Sequence, residues 1–315
     1  MTNADTKHPI IHKEDKMKIK NLLVGVAIGC FLSLLMLNTQ VLADSVWPRM
    51  VGSADGVPIS YEVHGTGEPT LVFVHGWSCD GRYWRMQVPH FSKNHRVVVI
   101  DLAGHGHSGL GREDYAMDAF GEDVQAVVEE VGAEQVILVG HSMGGPVSVA
   151  AARLMPGRVI GVIGVDIFQD VSHPMTQEEF DSWMGLLQPD FAAGAAQFVR
   201  QMFIEKTDPV LRDWVVADMS AAPPKVAVSA MEQMLSDVVS GDALFAFDGL
   251  ETPIVAINAD LWPTNVEANR RHMHSFDAVI IEGTDHFLHM AEPEAFNRKL
   301  EGVIAGMVET RSGAE

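Results

Sequence analysis

The stretch from Val136 to Pro146, Val-Ile-Leu-Val-Gly-His-Ser-Met-Gly-Gly-Pro, constrains the fold more than any other segment of the chain. Its first four residues are apolar and mostly β-branched, which predicts a buried strand, and the alanine-rich segment after it predicts a helix. Ser142 lies between them in the pattern Gly-x-Ser-x-Gly. Glycines two residues to either side let a strand and a helix pass closely enough for a sharp turn. The stretch therefore predicts a serine hydroxyl at a helix N-terminus, where negative charge is favoured.

Length and charge limit the classes of protein and partner. A chain of 315 residues with 47% hydrophobic residues can bury the core of one large α/β domain that carries an insertion. The formal net charge of -20 argues against nucleic acid and against an anionic membrane surface as partners.

The N-terminal residues 1–43 have the layout of a secretory signal peptide. Lysines precede an apolar run over residues 22–37, and the small residues of Val41-Leu-Ala43 predict cleavage after Ala43. We therefore expect a periplasmic or secreted protein. Two alternatives stay open: an uncleaved segment that anchors the chain in a membrane, and lipidation at Cys30. Membrane contact is expected only in those two cases.

Strand-like and helix-like segments alternate up to about Asp166 and again from about Pro253. This alternation predicts an α/β fold with a parallel sheet covered on both faces by helices. The region between them carries helical segments rich in Met, Trp and Phe, which predict a cap over the C-terminal edge of the sheet with a pliable apolar pocket. The predicted organisation is a signal peptide (1–43), the first part of the core (44–166), a helical cap (167–250) and the second part of the core (251–315).

Two further residues complete the chemistry that Ser142 requires. A serine hydroxyl is a poor nucleophile until a base takes its proton, and that base needs an acid to orient it. The order Ser142, Asp260, His286 is the Ser…Asp…His order expected on such a sheet, and all three follow strands whose C-terminal ends share one edge. Asp166 also ends a strand beside the serine turn and is the alternative acid. Asp285 is interpreted as a turn residue and His289 as packing.

An oxyanion formed during acyl transfer needs two N–H donors. The backbone of Met143, directly after the serine, supplies one, and the backbone of Trp77, directly after His75-Gly76, supplies the other.

Other patterns do not predict a site. The segment Gly104–Gly109 spells a dinucleotide fingerprint, but the residues after it are typical of a loop and do not open a helix, so no cofactor is expected. The pairs His105/His107 and His272/His274 lack thiolates and the spacing of a zinc motif, so no metal is expected. Cys79 is the only cysteine left after signal cleavage and is interpreted as structural.

Taken together, these motifs resemble the α/β-hydrolase superfamily from about Val51 to Val308. They are His75-Gly-Trp77, Asp101-Leu-Ala-Gly-His-Gly-His-Ser108, Gly140-His-Ser-Met-Gly-Gly145, Asn258-Ala-Asp260 and Asp285-His286…Glu292-Pro293. The resemblance implies an eight-stranded, mostly parallel sheet with a helical cap, and metal-free hydrolysis through an acyl-enzyme. A nucleophile of Ser rather than Asp separates the chain from the epoxide hydrolases and haloalkane dehalogenases of the superfamily. The acid position departs from the pattern, because Leu261-Trp-Pro263 follows Asp260.

The leading hypothesis is an exported hydrolase of carboxylic esters with small to medium apolar acyl groups, with lactones and thioesters as further substrates of the same machinery. C–C bond hydrolysis and cofactor-free perhydrolysis are the enzymatic alternatives. A ligand-binding relative without turnover is the alternative from another class.

Overall fold

The structure is a computed structural model that describes residues 48–313, so the signal peptide predicted for residues 1–43 lies outside the described residues. The strands are β1 (Arg49–Gly52), β2 (Pro58–His64), β3 (Thr70–Val74), β4 (Val97–Asp101), β5 (Val136–His141), β6 (Val159–Val165), β7 (Ile254–Ala259) and β8 (Phe276–Ile281). The α-helices are α1 (Val88–Phe91), α2 (Met117–Glu130), α3 (Gly144–Leu154), α4 (Gln177–Leu186), α5 (Phe191–Arg200), α6 (Pro209–Ser220), α7 (Pro224–Ser240), α8 (Val266–Asn269), α9 (Leu288–Ala291) and α10 (Pro293–Ser312), and 3-10 helices cover Gly81–Trp84 and Asp242–Phe247.

The eight strands form one sheet in the order β1-β2-β4-β3-β5-β6-β7-β8. The pairs β1–β2 and β2–β4 are antiparallel, and the other pairs in this sheet are parallel. This confirms the α/β fold that the sequence patterns predicted and the eight-stranded, mostly parallel sheet that the resemblance implied.

The central strands are buried on both faces, which explains their nearly continuous apolar sequences. In β3, Leu71 and Phe73 pack on one face of the sheet with side chains of α10 such as Phe296. Val72 and Val74 point to the other face and pack in a second cluster that includes the inner side of α2 and part of the region between β6 and β7. The alternation along the strand therefore divides the core into two layers.

The strand order reverses direction beside β3. From β3 the chain passes to β4 on one side, and then returns to β5 on the other side. Open α/β sheets bind ligands in the crevice at the carboxyl ends of the strands where the order reverses. His75 directly follows β3 and Ser142 directly follows β5, so this crevice brings the two segments together.

The residues between β6 and β7 form α4 to α7 and the second 3-10 helix. Pro209 and Pro224 occupy the first turns of α6 and α7, where a missing N–H costs no hydrogen bond. At the start of α4, Thr176 and Glu179 form a reciprocal capping box. The prolines in this region thus begin helices as well as separating them. Throughout residues 48–313, each helix is too short or too polar to cross a membrane.

These helices are attached to the loops at the carboxyl edge of the sheet by directed hydrogen bonds. The indole N–H of Trp77 donates to the carbonyl of Ala227 in α7 at 2.7 Å. The backbone N–H of His286 donates to the carbonyl of Met202 at 3.1 Å. Further bonds join Arg82 and Tyr83 to Asp218, Thr207 to Asp285, and Tyr115 to Ser229.

Candidate active site

The backbone at Ser142 makes the sharp turn that the sequence predicted. Its φ is 51°, in the left-handed region, and its N–H donates to the carbonyl of Val165 at 3.0 Å. The turn requires small neighbours: a Cβ on Gly144 would lie 2.7 Å from the carbonyl oxygen of His75, and one on Gly140 would lie 2.6 Å from the hydroxyl of Ser148. The serine is half-buried at the N-terminus of α3.

His286 is held by Asp166. Its Nδ1 lies 2.6 Å from Oδ2 of Asp166, and both side chains are buried. A carboxylate only accepts, so Nδ1–H is the donor. The other oxygen of Asp166 accepts from the backbone N–H of Ala259 at 2.9 Å. A backbone φ of 47° at Asp166 turns its side chain toward His286 at the end of β6.

Asp260, which the sequence predicted as the partner of His286, lies elsewhere, and that pairing is wrong. Its side chain is exposed and accepts from the backbone N–H groups of Gly283 at 2.7 Å and Thr284 at 3.3 Å. The hydrogen bond from Gly283 is the largest of the effects that lower the pKa of Asp260 below its ordinary value. Asp260 thus stabilises the loop before His286, whereas Asp166, the alternative acid, contacts the imidazole.

The His75-Gly76-Trp77 turn lies against the serine turn. A Cβ on Gly76 would lie 3.3 Å from the Cβ of Ser142. His75 fixes this turn through its ring, because Nδ1–H donates to the carbonyl of Gly76 at 2.8 Å and Nε2 accepts from the N–H of Leu102 at 3.0 Å. Burial lowers the pKa of His75 and keeps the ring neutral, as this pattern requires.

The two predicted oxyanion donors are free of other acceptors. Within residues 48–313, neither the N–H of Trp77 nor that of Met143 donates a hydrogen bond. Both belong to the turns that flank Ser142. They can therefore both donate to an anion next to the serine.

Ser142 and His286 open into a cavity of about 260 Å³. Its walls are almost entirely apolar, and Met is the commonest lining residue, as expected for an adaptable pocket. Burial raises the pKa of the Cys79 thiol well above its ordinary value, so it contributes a neutral wall. The cavity is lined by Trp77, Cys79, His141, Ser142, Met175, Trp183, Phe198, Met202, Met219, Met231, Met234, Leu235, His286 and Phe287.

A larger cleft of about 1140 Å³ lies alongside and shares Met234 and Leu235 with this cavity. Aromatic and acidic residues line it, among them Phe168, Phe245 and Asp237. Because Met234 and Leu235 line both spaces, these two side chains separate the space at Ser142 from the larger cleft. No three His, Cys, Asp or Glu side chains within residues 48–313 are grouped so that they could hold a metal ion.

Sequence reasoning missed a role for His141, which lies inside the serine motif. Its Nε2 lies 2.9 Å from the carbonyl oxygen of His286, and its ring packs against the ring of His286 with centroids 4.7 Å apart. Its place beside Ser142 was visible in the sequence, but the contact depends on how the loop after β8 folds back. Trp262 also packs against His286, with ring centroids 5.6 Å apart.

Known proteins share this arrangement of strands and turns. A family model described as alpha/beta hydrolase fold matches residues 69–205. A non-heme haloperoxidase from Rhodococcus erythropolis is 34% identical over 142 residues, which are 42% of this chain and 52% of that protein. A bifunctional esterase/perhydrolase from Acinetobacter calcoaceticus is 40% identical over 97 residues, 30% of this chain and 35% of that protein. The chain spans only part of such relatives, from 27% of the length of one to 64% of another.

The solved structure of a thermophilic esterase from Thermogutta terrifontis is similar over nearly its whole length. The two structures align with a TM-score of 0.71 and 21% sequence identity, over 83% of this chain and 99% of the esterase chain. Such a level of identity establishes the fold alone. The chain has the α/β-hydrolase fold, and residues 69–205 match that family's model. In this fold, the serine turn, His286 and Asp166 lie at the carboxyl edge of the sheet, where the superfamily resemblance places its site residues.

Because His286 is hydrogen-bonded to Asp166 and not to Asp260, substitutions of these two carboxylates should affect its imidazole differently. In wild type, we expect the Nδ1 proton of His286 to give a resonance far downfield of the amide protons, because the carboxylate deshields it. Asp166→Asn removes that acceptor charge and should abolish the resonance. Asp260→Asn should leave it unchanged. Proton NMR of the three proteins in cold buffer checks this, and a resonance lost only in Asp260→Asn would contradict the pairing.

Proposed function

We propose that this protein is a serine hydrolase of the α/β-hydrolase superfamily that cleaves carboxylic esters of small to medium apolar acyl groups through an acyl-enzyme. The hydrogen bond between Asp166 and His286, whose side chain lines the same apolar cavity as Ser142, is the observation that carries the proposal, with Nδ1–H of His286 as the donor. Esters, lactones and thioesters all present a carbonyl carbon to such a serine. Esterase and perhydrolase activities named for relatives are consistent with it.

The proposed reaction has two halves. Oγ of Ser142 attacks the ester carbonyl while its proton passes to Nε2 of His286, and the developing oxyanion accepts from the N–H groups of Trp77 and Met143. Asp166 stabilises the imidazolium and keeps its tautomer. The C–O bond to the alcohol then breaks, and the alcohol leaves with the proton from His286. Water, deprotonated by His286, hydrolyses the acyl-enzyme and restores Ser142.

The electrostatic surroundings support this use of Asp166 rather than Asp260. Asp166 is buried and is hydrogen-bonded to Ala259 and His286, so its charge acts on the imidazole in a low-dielectric setting. Asp260 is exposed and its charge is screened by water.

The first experiment compares four proteins on p-nitrophenyl esters from acetate to palmitate. We expect wild type to hydrolyse the shorter esters and Ser142→Ala to lose a factor of about 10⁵ to 10⁶ in kcat, because the nucleophile is gone. Asp166→Asn should lose about 10⁴ through the wrong imidazole tautomer. Asp260→Asn is the matched control and should stay within about threefold of wild type, because the amide oxygen of Asn can still accept from the N–H groups of Gly283 and Thr284.

Other results of this experiment would separate the alternatives. Equal rates in wild type and Ser142→Ala would refute the serine as nucleophile. An organophosphate that labels Ser142 in a protein without ester turnover would favour a ligand-binding relative. Perhydrolysis uses the same acyl-enzyme, with hydrogen peroxide replacing water as the attacking group and a peracid as product. Peracid formation in peroxide and acetate would add that activity without displacing the esterase.

The walls of the cavity predict how acyl-chain preference responds to mutation. Met234→Ala removes a side chain that separates the cavity at Ser142 from the larger cleft, so longer acyl chains gain apolar surface to bury. We expect the ratio of kcat/KM for octanoate to that for acetate to rise roughly tenfold or more, since each buried methylene contributes about 0.8 kcal/mol.

Met219→Ala is the matched control for this change, because Met219 lines the cavity and not the cleft. It should enlarge the cavity without opening it and should raise the ratio less. An equal rise in both variants would show that the two spaces do not join at Met234.

We also propose that the protein is exported, because the first 43 residues have the layout of a signal peptide. The N-terminal sequence of the protein recovered from expressing bacterial cells tests this. We expect Asp44 as the first residue. Recovery from the cytoplasm with Met1 or Thr2 at the N-terminus would count against export.

A further inference from the structure

Unpaired polar atoms gather behind His286. Seven buried side-chain N or O atoms have no hydrogen-bond partner within residues 48–313, and five of them belong to four residues. They are Nε1 of Trp84, Oε1 of Gln87, Nδ1 of His141 and both ring nitrogens of His289. We call these four residues the rear cluster. Buried polar groups are nearly always paired, so this concentration needs a physical explanation.

The rear cluster is continuous. The rings of His141 and His289 have centroids 4.6 Å apart, and those of Trp84 and His289 are 4.7 Å apart. The side-chain amide of Gln87 donates to the backbone carbonyl of His289 at 2.8 Å. All four side chains are buried. They form one polar group inside the apolar layer beside α10.

His141 connects this cluster to the base of the proposed reaction. Its Nε2 lies 2.9 Å from the backbone carbonyl oxygen of His286. Because a carbonyl only accepts, Nε2 carries the proton and Nδ1 is an acceptor. The residue directly before Ser142 therefore holds the backbone of His286 as well as packing against its ring.

Both histidines of the cluster are neutral. Burial, followed by the neighbouring rings of His289 and His286, lowers the pKa of His141 well below its ordinary value. Burial also lowers the pKa of His289 to about 3, with smaller effects from His286 and Arg85. A neutral His289 has one donor and one acceptor. With the indole N–H of Trp84 and the acceptors on His141 and Gln87, the cluster offers two donors and three acceptors.

The ring geometry does not allow direct hydrogen bonds between these groups. The planes of Trp84 and His289 meet at 36° and those of His141 and His289 at 51°, so ring faces rather than in-plane lone pairs are in contact. A water molecule donates two hydrogen bonds and accepts two, which matches a mixed set of unpaired donors and acceptors.

We propose that the rear cluster positions His286, with His141 holding its carbonyl and a buried water molecule bridging Nδ1 of His141 to His289 and Trp84. The cluster fixes the loop that holds the imidazole against Asp166, at the wall of the cavity that Ser142 also lines. His141 and His289 are positioning residues, because they act through His286 and hold no reacting atom. This inference rests on the proposed function in using His286 as the base.

The kinetic test uses paired substitutions. His141→Leu removes the donor to the carbonyl of His286, and we expect kcat to fall between about tenfold and a hundredfold with KM within about threefold, since misplacing a catalytic group mainly slows chemistry. His141→Gln keeps an N–H donor and should recover most of that loss. The rate at which an organophosphate labels Ser142 should follow kcat in both variants. His274→Leu, an exposed histidine, is the control and should behave as wild type.

These outcomes separate this inference from the proposed function. If wild type hydrolyses esters and His141→Leu keeps kcat and the labelling rate within about threefold, the positioning role is overturned and the esterase stands. If wild type hydrolyses no ester, the proposed function fails, and the labelling rates and the spectra described next still test the cluster. A loss of kcat that His141→Gln does not recover would also count against the hydrogen bond to the carbonyl.

If His141→Leu does not fold, NMR of the wild-type protein tests the positioning role of His141 instead. With ¹⁵N-labelled histidine, we expect His141 to stay neutral with its proton on Nε2 from about pH 5 to pH 8. A proton on Nδ1, or titration in that range, would overturn the proposal. A high-resolution crystal structure should show water within hydrogen-bond distance of Nδ1 of His141 and of His289, and direct bonds between the rings instead would exclude the bridge.

Discussion

The left-handed backbone of Ser142 is the constraint on which the site depends. A residue other than glycine held in that region costs on the order of 1–3 kcal/mol, and the surrounding structure must enforce it. Here the carbonyl of Val165 accepts the serine N–H, and the glycines at 140, 144 and 76 remove the side chains that would collide with the turn. The turn therefore needs β3, β5 and β6 to be neighbours, which is the sheet order observed.

The site is a small polar set in apolar surroundings, and the buried carboxylate within it is paired. A buried carboxylate without hydrogen bonds would be strongly unfavourable. Asp166 has two donors, the N–H of Ala259 and Nδ1–H of His286, so its charge is compensated while it stays out of water. His75 and His141 are kept neutral by burial, and each uses its N–H to fix a backbone carbonyl next to the reacting groups. The histidines around the site thus act mainly as rigid hydrogen-bond donors.

Patterns of residues close together in the sequence were enough to predict the fold and part of the site. The apolar runs gave β3 to β8 and their alternation with helices, and Gly-x-Ser-x-Gly gave the turn at Ser142, because both follow from near-neighbour sterics. Which of Asp166 and Asp260 pairs with His286 could not be predicted from residues close to them in the sequence. Both end a strand, and the difference depends on β6 lying beside β5 and on the positive φ of Asp166, which turns its carboxylate toward His286. Likewise, the contact of His141 with the carbonyl of His286 joins segments 145 residues apart, and no pattern near either residue indicates it.

Hydrogen bonds join the helices between β6 and β7 to the loops at the carboxyl edge of the sheet, and this affects how such proteins can diversify. The indole N–H of Trp77, whose backbone N–H is a proposed oxyanion donor, is hydrogen-bonded to Ala227 in α7, and the backbone N–H of His286 is hydrogen-bonded to Met202. The helices that line the cavity are therefore hydrogen-bonded directly to the loops that carry the proposed site residues. An exchange of residues 167–250 for the corresponding region of a relative would transplant the pocket walls but also remove two supports of the reacting groups. To keep these two hydrogen bonds, the incoming segment must place its own backbone carbonyls next to Trp77 and His286.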